Sequence, residues 1–102
     1  MKRNIFNMDL KNITSVLMQR GYDKRSAKLV APDLSVLSPP LDSFFEKWMK
    51  DPQRVSDFKA YGFSVLTLMS ERGMSYPAAI LTIDWLIKEP DKAIKSLKRG
   101  VK

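Results

Sequence analysis

The stretch Ser75-Tyr76-Pro77-Ala78-Ala79-Ile80-Leu81-Thr82-Ile83-Asp84-Trp85-Leu86-Ile87-Lys88 settles the fold class. Serine supplies a hydroxyl to cap a helix, and proline suits the first turn that follows. At 100° per residue, with Tyr76 as origin, Ala79, Ile80, Ile83, Leu86 and Ile87 fall within an arc from about 280° through 0° to about 40°. Ala78, Leu81 and Trp85 fall at about 140–200°, on the other side. A helix apolar on two sides is covered on both, so it is expected to be the central helix of the domain. Leu81 and Trp85 are the candidate protein-binding or self-association surface if that second side is an interface instead.

Asp84 is the sole ionisable residue inside this apolar run. An acid in such surroundings could serve as a general acid. Lys88, however, follows at i+4 in the favourable order, and the sequence places no second acid near it. An intrahelical pair is the expectation.

Helix signals continue on both sides. Ser64 caps a helix to Arg72 that turns Val65, Leu68 and Met69 inward, with Gly73 as its stop. Glu89-Pro90 breaks the chain and opens a last helix to about Arg99, with Ala93, Ile94, Leu97 and Val101 towards the core. Upstream, Ser38-Pro39-Pro40 is expected to start a helix through a serine cap, and the helix ends near Asp51-Pro52. Leu41, Phe44, Phe45 and Trp48 share about 100° of its surface. Asp9 caps a helix to Arg20 whose inward residues are Leu10, Ile13, Val16 and Leu17, and Gly21 ends it. Asp23 caps a short helix through about Val30, which Pro32 is expected to stop. Residues 53–63 read as a connector with at most a turn of helix or a short extended piece.

The fold expected is all-α: a compact single domain over 1–102, of five or six short helices around one apolar central helix. Its core would hold Phe44, Phe45, Trp48, Leu68, Ile80, Ile83 and Leu86, and residues 1–8 would form a flexible basic arm. The 102 residues suit one hydrophobic core.

The chain has no cysteine and no histidine. That removes disulfides, iron–sulfur clusters, the usual zinc sites and any Ser-His or Cys-His nucleophile pair. No two acids are adjacent and no calcium-loop pattern occurs, so no metal and no cofactor is expected. The longest apolar stretch is about half of the ~20 residues that a membrane span needs, and Asp84 interrupts it. Met1-Lys2-Arg3-Asn4 is not followed by an apolar signal core, so a cytoplasmic protein without membrane contact is expected.

The net charge of +7 is unevenly spread. Residues 1–30 carry seven basic and two acidic groups, residues 31–63 four and five, and residues 64–102 seven and four. Arg20, Tyr22, Lys24, Arg25 and Lys28 at the first helix pair, with Lys95 and Arg99 near the end, are candidate phosphate contacts. Lys88, Lys92, Lys95 and Arg99 would form one stripe if helical geometry carried through Pro90. The helices around Gly73 have the outline of a helix-turn-helix. The second opens Ser-Tyr-Pro-Ala-Ala-Ile-Leu, however, and offers almost nothing polar to base edges.

Taken together, the residues favour a small non-enzymatic interaction module that binds a protein partner, or itself as a homo-oligomer, through helix faces. The alternative is a small basic nucleic-acid-binding protein that uses phosphate contacts from its N- and C-terminal basic clusters.

Overall fold

The computed structural model describes residues 9–99, with side chains described through Lys98. The expected basic arm, residues 1–8, lies outside the described residues, as do Val101 and the side chain of Arg99. The described chain is all-α. Its helices are α1 (Leu10–Gln19), α2 (Lys24–Leu34), α3 (Leu41–Lys50), α4 (Val65–Arg72), α5 (Tyr76–Lys88) and α6 (Pro90–Arg99). One two-stranded antiparallel hairpin, β1 (Lys59–Ala60) and β2 (Phe63–Ser64), precedes α4. Internal contacts group the chain into two compact units, Met1–Arg54 and Val55–Lys102.

In the first unit, Asp9 caps α1 by accepting from the Lys11 N–H at 3.3 Å. The helix closes in a Schellman arrangement. Tyr22 N–H bonds the Leu17 carbonyl at 3.0 Å, and Gly21 N–H bonds that of Met18 at 3.2 Å. Gly21 holds φ at 106°, a conformation that L side chains rarely adopt. Asp23 holds the cap position of α2, and its carboxyl lies below the usual carboxylate range because Ser26 hydrogen-bonds it. Ala27 and Ala31, both buried, let α2 lie close to α1, where Ile13 and Leu17 are fully covered. Leu41, Phe45, Trp48 and Met49 are the buried apolar residues of α3, and the rings of Phe45 and Trp48 stack at 5.6 Å.

Four expectations for this unit are corrected. Pro32 does not stop α2, which runs two residues further. The ring lies exposed near the helix end and removes only the N–H that would bond the Lys28 carbonyl, while Leu34 beyond it is fully buried. The cap position of α3 belongs to Pro40, which has no polar side chain. The Ser38 carbonyl accepts from the Leu41 and Asp42 N–H groups instead. Phe44 is half-buried, and Asp42 is buried in its place, accepting from the Ser43 N–H at 2.7 Å. Leu10 faces outward at 47% exposure, and Val16 is half-buried.

In the second unit, residues 59–64 form the hairpin where the sequence suggested only a connector. Tyr61 and Gly62 both take positive φ, 52° and 84°, as a two-residue type I′ loop requires. The N-terminus of α4 is capped twice. Ser64 Oγ accepts from Thr67 N–H at 3.1 Å, and Asp57 Oδ1 accepts from Leu66 N–H at 3.1 Å. Met69, expected inward, is half-buried. Ser75 caps α5 by accepting from Ala78 N–H at 3.3 Å. The centre of this unit is α5, packed against α4, α6 and β1. Ala79, Ile80, Ile83 and Leu86 are fully buried, with Ala93 and Leu97 of α6 also in the core. Glu89 breaks the helical path at φ −138° and ψ 69°, so α5 and α6 are separate and the basic stripe through Pro90 is not continuous.

Two measurements test this packing. Ile83→Ala should lower stability by about 2–5 kcal/mol in denaturant unfolding, as for a fully buried truncation. Tyr76 is buried, and its hydroxyl accepts from Ser56 N–H at 3.4 Å. Burial raises its pKa above the ordinary 10. The folded state therefore holds the phenol proton more tightly than the unfolded chain does. That stability is fully present below about pH 10 and is lost as the pH rises through the raised value. Alkaline unfolding followed by phenolate absorbance should show this loss, and Tyr76→Phe should remove it.

Candidate functional site

Of the side chains proposed from sequence, that of Arg99 lies outside the described residues, and each of the others has a definite place. Arg20 caps the end of α1 and turns inward, towards α3. Its Nη2 donates to the Met49 carbonyl at 2.8 Å and to that of Trp48 at 3.5 Å. The guanidinium carbon lies 5.4 Å from the centre of the Trp48 ring. These carbonyls belong to the last turn of α3, where no helical donor remains and the macrodipole is negative. A cation there ties α1 to α3. Its Nε is buried without a hydrogen-bond partner among the described residues, so the planar fork is held by one edge only. Arg20 is thus committed to the fold, apart from the solvent-facing cations.

Lys24, Arg25 and Lys28 remain exposed along the first half of α2, with Tyr22 half-buried before them. Lys24 and Lys28, four apart, share a helix face; Arg25 lies one residue round from Lys24. Lys95 is exposed on α6 in the second unit.

On α5, Asp84 is 5% exposed and pairs with Lys88 at 2.8 Å, the intrahelical arrangement expected. The second apolar side of α5 is not fully covered, contrary to the reading of a helix enclosed all round. Leu81 is half-buried and Trp85 is 36% exposed. The Trp85 indole N–H donates to Glu89 Oε1 at 3.0 Å, while Glu89 Oε2 lies 3.6 Å from Lys92 Nζ. A tryptophan whose N–H is satisfied at the surface does not need the interior. This polar chain crosses the break between α5 and α6. By contrast, Tyr76 and Pro77 at the start of α5 are buried, the reverse of what a recognition helix presents to a DNA groove.

The feature that sequence reading missed lies between α1 and α2. A groove of about 750 Å³ is lined there by Leu10, Thr14 and Met18 of α1 and by Lys28, Ala31 and Pro32 of α2. Leu10 and Met18 are 47% and 44% exposed. A signal was present in the sequence. The apolar residues of α1 spread over about 200°, twice the arc that one buried stripe needs.

Among the described residues, no group of three His, Cys, Asp or Glu side chains could hold a metal ion. No helix among them is long and apolar enough to cross a membrane. Compared with protein-family models, characterised proteins and solved structures, the chain matches none.

Arg20→Met should cost about 1.5–3 kcal/mol in denaturant unfolding, the range for a hydrogen bond to a charged group. If Arg20 contacted phosphate instead of the fold, that substitution would leave stability unchanged.

Proposed function

We propose that this chain is a non-enzymatic interaction module that binds a protein partner through helix faces. The observation that carries this reading is the open apolar groove between α1 and α2, since a small domain seldom leaves large apolar side chains gathered beside an open concave surface without use for them. Leu81 and Trp85 offer a second apolar surface on the other unit, and an exposed aromatic of this kind is a common interface anchor. The absence of histidine and cysteine supports a binding role over nucleophilic catalysis. A cytoplasmic location belongs to the same proposal, and self-association is its alternative form, with a second copy of the chain as the partner.

A second reading, nucleic-acid binding, draws on the exposed Lys24, Arg25 and Lys28, none of which forms an ion pair with a described residue. With Arg20 held by the fold, the basic cluster is smaller than the sequence suggested.

The test is capture by the immobilised chain from native lysate, with and without nuclease, using wild type, Met18→Glu and Trp85→Ala. Partners retained after nuclease but lost with either surface variant are expected. Both variants should stay folded, with Trp85→Ala less costly than Ile83→Ala because the ring is partly exposed. If nuclease releases everything captured, the second reading takes over. Affinity for duplex DNA should then fall with salt at about 0.9 log units per phosphate contact, and Arg25→Ala should flatten that slope by about one unit.

A further inference from the structure

We infer that the groove between α1 and α2 docks an amphipathic helical segment of a partner protein, with acidic residues flanking its apolar stripe. The inference rests on the protein-binding reading and gives the partner's chemistry.

Three observations select this occupant. The first is length. Leu10, Thr14 and Met18 stand at spacings of four along α1, so the exposed wall rises about 12 Å at 1.5 Å per residue. That matches roughly two turns of a docked helix with contacts at i, i+4 and i+7. The second is backbone chemistry. Both walls are α-helices, and apart from the Lys28 carbonyl that Pro32 leaves without its helical donor their mid-helix main-chain groups bond within the helix, so no strand edge is available to an extended peptide. A docked segment must satisfy its own N–H and C=O groups, and a helix does so. The third is charge. Among the described residues lining the groove, Lys11 stands on the α1 side and Lys28 on the α2 side, and no acid lines it. Both lysines are exposed, and Lys24 extends the basic edge one turn further along α2. Acidic groups beside the partner's apolar stripe would meet both edges. The chain's own start is a poor match, because Met1–Met8 carries Lys2 and Arg3 and no acid.

The probe is a synthetic helix-forming peptide of about four turns, with leucines at i, i+4, i+7 and i+11 and glutamates beside them. A twin carries lysine at each glutamate position. Binding to the full chain is read by fluorescence anisotropy and by backbone amide shifts. The glutamate peptide should bind and shift the amides of residues 10–19 and 28–31, and the lysine twin should bind at least tenfold more weakly, about one factor of ten in affinity. The Lys11→Glu, Lys28→Glu double variant should reverse that preference. Met18→Glu should abolish binding of both peptides without changing the melting temperature. Equal affinity for the twins, or no binding of either, would overturn the inference.

Other occupants give distinct results that would also overturn it. A second copy in the groove would appear as a concentration-dependent dimer that Met18→Glu abolishes. The chain's own start would appear as shifts at residues 10–19 on Phe6→Glu without peptide. Shifts confined to Leu81 and Trp85 would remove the groove assignment and leave the protein-binding reading standing. Loss of that reading itself would require, in addition, that lysate capture depend on neither Met18 nor Trp85.

Discussion

None of the described helices exceeds 13 residues, and most have about ten. Isolated helices shorter than about 12–15 residues are marginal in water, because the first turn fixes several dihedrals for one hydrogen bond. Every element here therefore depends on burying a face against another element. This constraint explains the distribution of the small and large apolar residues. Ala27 and Ala31 bring α2 close to α1 in the first unit, while Ile80, Ile83 and Leu86 give α5 enough apolar surface to hold α4, α6 and the hairpin strand in the second.

Short helices also have a high ratio of ends to turns, so end chemistry carries much of the specification. At α4, an exposed aspartate from outside the helix and the serine at the cap share the orphan N–H groups. At the C-terminal end of α3, the orphan carbonyls of Trp48 and Met49 are met by Arg20, a residue of the preceding helix pair. Here a half-buried cation is favoured because a helix C-terminus attracts positive charge. Its unpartnered Nε marks the cost of placing a five-donor fork where only two carbonyls face it.

These ends are also where sequence reading succeeded and failed. Asp9, Ser64 and Ser75 were legible as caps because a side-chain oxygen two or three residues before a backbone N–H is a local matter. Arg20 was not legible, since its partners stand 28 and 29 residues away. It looked like one more surface cation. Pro32 was misread for a related reason: the local penalty is real, but the burial of Leu34 beyond it depends on neighbours that periodicity does not name. The hairpin escaped because its strands are two residues each, too short for alternation to register, and its turn places tyrosine in a position usually given to asparagine or glycine.

The apolar surplus of α1 and of α5 separates what the fold covers from what it leaves open. Periodicity finds an excess in both helices but cannot say whether the fold will cover it. In α5 the excess is partly covered: Leu81 is half-buried, and Trp85 reaches the surface with its N–H held by Glu89. In α1 it is left open, because the residues α2 brings alongside, Ala31 and Pro32, are too small to roof Leu10 and Met18. Larger residues at those two places would close the groove. At Ala31, which is buried, a larger residue would also push α2 away from Ile13 and Leu17, which are fully buried. The close approach that stabilises this helix pair therefore leaves the groove beside it uncovered, and that uncovered surface is the one the proposed partner would occupy.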